Sequence, residues 1–153
     1  EESMRIPLLV RVPGMPVEKN HIDTPVSLID IYPTLVELCG LTLSSSNQVK
    51  RVGVSIEPLL NPGSQEKEER MALGVMQSDV VEPLDERWMD EPFLNQHWTL
   101  RTDRWRYIRY QDGSEELYDH QTDPHEWYNL AGDLAYMEQQ KELAQQLRKV
   151  LSK

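Results

Sequence analysis

Leu8, Leu9 and Val10 follow one another without a polar residue between them, inside the proline-bounded run RIPLLVRVPG (Arg5 to Gly14). An unbroken apolar run of this length predicts a strand buried on both faces, as in the parallel sheet of an α/β layer, because a half-buried strand alternates. The pattern then changes to helical spacing in DTPVSLIDIYPTLVELCG, where Val26, Ile29, Leu35 and Leu38 share one side. Thr24 reads as the N-cap, Pro25 as the first helical residue and Gly40 as the residue just past the end. Pro33 predicts a kink or a division into two short helices. A polar loop follows, then a short turn or helical piece in VSIEPLLN, then the charged linker PGSQEKEER. RMALGVMQ reads as a strand, residues 78–96 as an acidic, aromatic-bearing loop without a period, and the chain from His97 as strand again. From Asp133 a single amphipathic helix is predicted, with Leu134, Met137, Leu143, Leu147, Val150 and Leu151 as its stripe.

The run RTDRWRYIRYQDGSEELYD (Arg101 to Asp119) places four arginines beside four aromatic rings. Asp112-Gly113 between β-formers predicts a two-residue type I′ hairpin. That turn sets Arg109 opposite Glu116, Ile108 opposite Leu117, Tyr107 opposite Tyr118 and Arg106 opposite Asp119. Cross-strand ion pairs of this kind contribute roughly 0.2–1 kcal/mol each. They leave Arg101 and Arg104 as the better candidates for meeting an anion. Downstream, DPHEWYNLAG has the form of a capping box, with Asp123 as cap, Pro124 after it and Glu126 three residues on. It predicts one helical turn, with Trp127 and Leu130 tucked against the sheet.

Charge and composition narrow the chemistry. The 153 residues carry 26 acidic against 16 basic side chains, a formal net charge of −10. Neither a nucleic-acid partner nor an anionic membrane is expected of such a surface, and no apolar stretch approaches the roughly 20 residues of a membrane span. The single cysteine, Cys39, excludes an internal disulfide framework and is expected as a buried structural thiol. The histidines His21, His97, His120 and His125 are scattered without metal-ligand spacing, and no nucleophile elbow or glycine-rich phosphate loop is present. His120 and His125, flanking the capped turn, are expected to face solvent or bond backbone. The residues alone therefore indicate no self-contained active site. The chain opens on Glu1 rather than Met, and a start after a cleavage or inside a longer reading frame is expected.

RIPLLVRVPG, VSLIDIYPTLVELCGL and LRTDRWRYIRYQDGSEELYDHQTDPHEWYNLA occur in one order. Together they resemble the C-terminal part of sulfatases, in particular the iduronate-2-sulfatase and polysaccharide-sulfatase branch of the alkaline phosphatase superfamily. The resemblance implies an α+β chain. Residues 1–62 would be the last strand and helix of a large α/β domain, and residues 71–153 a small antiparallel sheet packed with a long C-terminal helix. It also implies hydrolysis of sulfate esters, carbohydrate sulfates among them, through a formylglycine made from a C/S-x-P-x-R motif and a calcium ion. Both would belong to sequence before Glu1, since Cys39 is followed by Gly40-Leu41-Thr42. No catalytic and no metal-ligating residue is therefore expected in this chain. By the same resemblance His97 and Arg101 are candidate substrate contacts, with Trp98 as a sugar-stacking ring. The partners implied are the catalytic part of the same protein and a sulfated substrate; export from the cytoplasm is suggested by the family alone. Two other readings are a related phosphonate or phosphodiester hydrolase and a non-catalytic interaction module. If Leu8–Val10 belongs to a central strand, the isolated chain exposes apolar surface and self-associates.

Overall fold

The computed structural model describes residues 4–15, 21–42, 53–61, 70–77 and 96–151. It divides into two compact units, one of residues 6–71 and one that joins residues 1–5 to 72–153.

In the first unit the expected buried strand is not formed. Residues 5–12 carry no regular structure, and Leu9 is 91% exposed. An apolar run is buried on both faces only between covering layers, and the described residues place no strand beside it. The helix starts later than Thr24. Ser27 is extended, a 3-10 turn spans Leu28–Asp30, and helix α1 (Ile31–Leu38) continues from it. Asp30 Oδ2 reaches back to accept the Ser27 N–H at 2.9 Å. Pro33 is the third residue of α1, where its missing N–H breaks no intrahelical bond. At the other end Gly40 adopts φ +60. Its N–H donates to Glu37 O and that of Leu41 to Val36 O, both at 3.0 Å, which is the Schellman closure expected there.

What α1 buries is polar. Thr34 is its buried residue and Asp30, its N-cap, is buried with it, whereas Ile29 and Leu35 of the expected stripe are exposed. Asp30 Oδ1 accepts the Val54 N–H at 2.8 Å, and Thr34 Oγ1 accepts the Ile56 N–H at 2.9 Å. Gly53 permits this approach: at φ +101, a Cβ there would lie 2.3 Å from Ile29 O. Cys39, the C-cap of α1, is exposed rather than buried as expected. Helix α2 (Glu57–Leu60) forms where the short helical piece was predicted.

The second unit is a four-stranded antiparallel meander, β1 (Ala72–Gln77), β2 (Gln96–Arg101), β3 (Trp105–Arg109) and β4 (Glu115–Asp119), in that spatial order. The acidic loop lies outside the described residues, apart from Gln96, which begins β2. Helix α3 (Met137–Leu151) follows a 3-10 turn, Leu134–Tyr136, capped by Asp133. Leu143 and Leu147 of α3 pack with Trp98, Leu100, Trp105, Tyr107 and Leu117 of the sheet as one core. Leu134 is 84% exposed, because it belongs to the 3-10 turn and not to the α-helical stripe. The outer side of β4 is closed by the segment after the hairpin. Leu130 N–H donates to Leu117 O at 2.9 Å and Leu117 N–H to Asn129 Oδ1 at 3.0 Å, so that edge offers fewer unpaired groups.

The β3–β4 hairpin differs from the prediction by one residue. Arg109 pairs with Glu115, Ile108 with Glu116, Tyr107 with Leu117 and Arg106 with Tyr118. Tyr110 N–H donates to Ser114 O at 2.9 Å, closing a three-residue loop, and Gly113 N–H donates to Tyr110 O at 3.1 Å. Only Gly113 takes positive φ (+86); a type I′ turn would force Asp112 there too. Asp112 instead stays on the ordinary side and accepts the Ser114 N–H and hydroxyl through Oδ1, at 2.9 and 2.6 Å.

Candidate functional site

Strand pairing sorts the side chains into two faces. Trp98, Leu100, Tyr107 and Leu117 face α3. On the other face His97, Thr99 and Arg101 of β2 stand beside Arg106 and Ile108 of β3 and Glu116 and Tyr118 of β4. Of the three residues nominated for substrate, Trp98 is thus separated from His97 and Arg101. It is 7% exposed and belongs to the core, so its ring has no free face for a sugar. The alternation Gln-His-Trp-Thr-Leu-Arg carried that information, since its apolar members are residues 98 and 100.

The outer face carries a polar network. Arg106 donates to both oxygens of Glu126 at 3.2 Å and to Thr99 Oγ1 at 3.2 Å. His120 Nε2 lies 2.8 Å from Glu126 Oε1, and Arg101 Nη2 lies 2.9 Å from His120 Nδ1. A guanidinium only donates, so Nδ1 accepts and the proton of the neutral imidazole sits on Nε2, directed at Glu126. Arg101 also bonds the carbonyl of Thr102. The His120 ring therefore neither faces solvent nor bonds backbone, the two roles expected of it, but joins an arginine to a carboxylate. Arg104, also left without a partner by the sequence, forms a bidentate pair with Asp119 at 2.9 and 2.6 Å and lies over the Trp105 ring. Arg109 meets Glu115 at 3.2 Å. All four arginines of the run are engaged, three by carboxylates.

Glu126 reaches Arg106 because the expected helical turn does not form. Its backbone is left-handed, φ +59, the only non-glycine of this kind among the described residues. Its carboxylate is thereby turned toward the sheet and not back toward the cap. Asp123 organises the same segment. Desolvation pushes its carboxyl up, but the backbone N–H groups of Tyr128, Trp127, His125 and Glu126 hold it below the usual range. Leu130 packs against the core as expected, but Trp127 is 74% exposed and stacks on His125, with ring centroids 5.1 Å apart.

His97 sits at the opposite end of β2. Its Nδ1 accepts the Gln111 N–H at 3.2 Å and its ring meets Tyr110 edge-on at 5.2 Å. The remaining nitrogen, Nε2, carries the proton and is a donor. Glu115, on the core face, accepts the Tyr107 hydroxyl at 2.7 Å. Burial, followed by this carboxylate, raises the Tyr107 phenol well above its ordinary value.

Asp119 makes the site's acid dependence testable. The hydrogen bond from Arg104 holds its carboxyl below the usual value; burial opposes this and the Gln121 N–H adds to it. The folded chain therefore binds fewer protons here than the unfolded chain, whose Asp titrates near ~3.9, so this contribution is present above that pH and is lost as pH falls through the depressed value. Asp119→Asn is expected to flatten the acid limb of stability below about pH 4, read by urea unfolding at a series of pH values. An unchanged acid limb would show that the pair does not set it.

The described residues bring no three His, Cys, Asp or Glu side chains together for a metal ion, and Cys39 lies in Cys-Gly-Leu-Thr. Neither a calcium-binding cluster nor a formylglycine precursor motif occurs among the described residues. No helix among the described residues is long and apolar enough to cross a membrane.

A family model described as N-sulphoglucosamine sulphohydrolase, C-terminal, matches residues 1–153. A sulfatase of Formosa agariphila is 31% identical over 136 residues, 89% of this chain and 22% of its own length. Arylsulfatase K of Xenopus laevis is 30% identical over 159 residues, 99% of this chain and 26% of its own. Among solved structures, a 2-O GAG sulfatase superposes with a TM-score of 0.60 at 26% identity, over 80% of this chain and 24% of its own. Another, solved in complex with its substrate D-glucosamine-2-N,6-O-disulfate, gives 0.58 at 26% identity, over 80% and 23%. The chain spans about a quarter of the length of the curated relatives it matches. With its meander, terminal helix and full-length family match, the chain belongs to the C-terminal family of sulfatases, in the alkaline phosphatase superfamily.

Proposed function

We propose that this chain is the C-terminal part of a sulfatase that hydrolyses sulfate esters on carbohydrates. The nucleophile and calcium site belong to sequence outside residues 1–153. The observation that carries the reading is the family match over all of residues 1–153. The sugar disulfate named as substrate of one structural relative supports the carbohydrate class. Leu8, Leu9, Leu28, Ile29, Tyr32 and Leu35 of the first unit are exposed. So much apolar surface fits a segment that packs against more of its own protein.

Within that enzyme His97 and Arg101 help wall the substrate pocket. His97 supplies Nε2–H to a substrate oxygen, and Arg101, oriented by His120 and the Thr102 carbonyl, supplies positive charge on the same face. The test is the complete protein, assayed for sulfate release from sulfated monosaccharides. His97→Ala is expected to lower kcat/KM about tenfold with the melting temperature held, the loss of one hydrogen bond to a charged group. An unaltered kcat/KM removes His97 from the pocket, and no sulfate release from any sulfated sugar sinks the whole reading.

A second reading is kept by one observation. A phosphonate monoester hydrolase of Silicibacter pomeroyi superposes with a TM-score of 0.56 at 25% identity. Paired aryl sulfate and aryl phosphonate substrates decide between the two, by which ester the complete protein cleaves with the larger kcat/KM.

A further inference from the structure

Residues 120–129 present an aromatic surface that the polar network does not use. Trp127 and Tyr128 are each more than two-thirds exposed, and His125 is exposed beside them. The His125 and Trp127 rings are stacked, 23° from parallel, so they form a plate larger than either ring alone. The backbone beneath is held from several directions. Asp123 Oδ2 accepts the Tyr128 N–H at 2.8 Å, Glu126 is bonded to Arg106 and His120, and Asn129 Nδ2 donates to Glu115 O at 3.3 Å. Large aromatic rings are ordinarily withdrawn from water, and this rigid loop instead holds two of them out.

The composition around the plate decides what it fits. The segment HQTDPHEWYN contains no Leu, Ile, Val or Met, and Gln121 and Thr122 are exposed next to it. A protein-docking patch needs a contiguous apolar area of several hundred Å² or more, which rings interleaved with polar groups do not supply. A pyranose ring has a flat face of C–H groups bordered by hydroxyls. It matches an aromatic plate in a segment whose amide and hydroxyl side chains, Gln121 and Thr122, are exposed. Preorganisation lowers the cost of ordering the site. We infer that the stacked rings of His125 and Trp127, with the exposed Tyr128 next in sequence, form a stacking site for one pyranose ring of a carbohydrate chain. The inference deepens the proposed function and rests on it for the carbohydrate class of the substrate.

The experiment uses the complete protein and a chemically desulfated uronic acid–hexosamine octasaccharide, so that sulfate–arginine attraction does not contribute. Binding is measured by calorimetry for the wild type and for Trp127→Ala, Trp127→Phe and Tyr128→Ala. Trp127→Ala is expected to weaken binding about tenfold, as for loss of one stacking contact, while Trp127→Phe stays within about threefold. Equal affinity in wild type and Trp127→Ala overturns the site, as does a wild type that binds no octasaccharide. A melting temperature lowered alike in Trp127→Ala and Trp127→Phe also overturns it, since the ring would then be packed against the rest of the protein. Trp127-dependent binding without sulfate release would sink the hydrolytic reading alone. Sulfate release with Trp127-independent binding would sink the stacking site alone.

Discussion

Replacing Glu126 by alanine is expected to cost about 3–5 kcal/mol of unfolding free energy, the range for removing one partner of a buried ion pair. Arg106 is buried and Glu126 largely so, with side chains 9% and 11% exposed, and Arg106 would lose the carboxylate that compensates its desolvation. His120 would lose the acceptor of its Nε2–H in the same step. Two opposing effects meet at this position. Left-handed backbone in a residue with a Cβ costs about 1–2 kcal/mol, so the native conformation persists only because the ion pair and hydrogen bonds outweigh it. Glu126→Gly separates the two: it relieves the backbone but removes the same carboxylate, and should be less destabilising than Glu126→Ala by about 1 kcal/mol. Urea denaturation followed by tryptophan fluorescence measures the series. If the alanine variant loses less than about 1 kcal/mol, the network is a surface ornament and not a lock.

Leu143→Ala comes next in size, at about 2–5 kcal/mol. Leu143 is almost wholly buried and, with Leu147, inserts from α3 among Trp98, Leu100, Tyr107 and Leu117. Truncation leaves a cavity between two layers that sheet and helix cannot both close. Leu134→Ala is the matched control: the same substitution within the same predicted stripe, but at an exposed residue of the preceding 3-10 turn. It should change stability by no more than about 0.5 kcal/mol. Similar effects in the two variants would mean that α3 is not packed through the Leu143–Leu147 side.

The comparison of these two leucines shows where periodicity stops being informative. Both fit a helical stripe, yet the chain winds as 3-10 helix until Tyr136, and the change of pitch takes Leu134 off the stripe. The hairpin shows the same limit on a smaller scale. Asp112-Gly113 located the turn, but two turn types were compatible with it. The bonds from Ser114 to Asp112 Oδ1 favour the loop that needs one left-handed residue, not two. That single-residue difference changed every cross-strand partner. Arg106 thereby lost Asp119 and was directed to Glu126, twenty residues away. The conclusion that these arginines are internally neutralised survived, while their assigned partners did not.

Local sequence determined the features whose causes are local. These are the glycine closure of α1, the short helix at Glu57, the strands β1 to β4 and the amphipathic tail. The ordered motifs added the family. Tertiary structure alone decided which groups meet across distance. It set Trp98 under α3, joined Arg101 to Glu126 through His120, turned Glu126 left-handed and left Trp127 and His125 stacked in solvent. The physical reason is that capping, turn and periodicity energies act within a few residues. The partner of a buried charge is chosen by what strand register and chain reversal bring within about 3 Å of it.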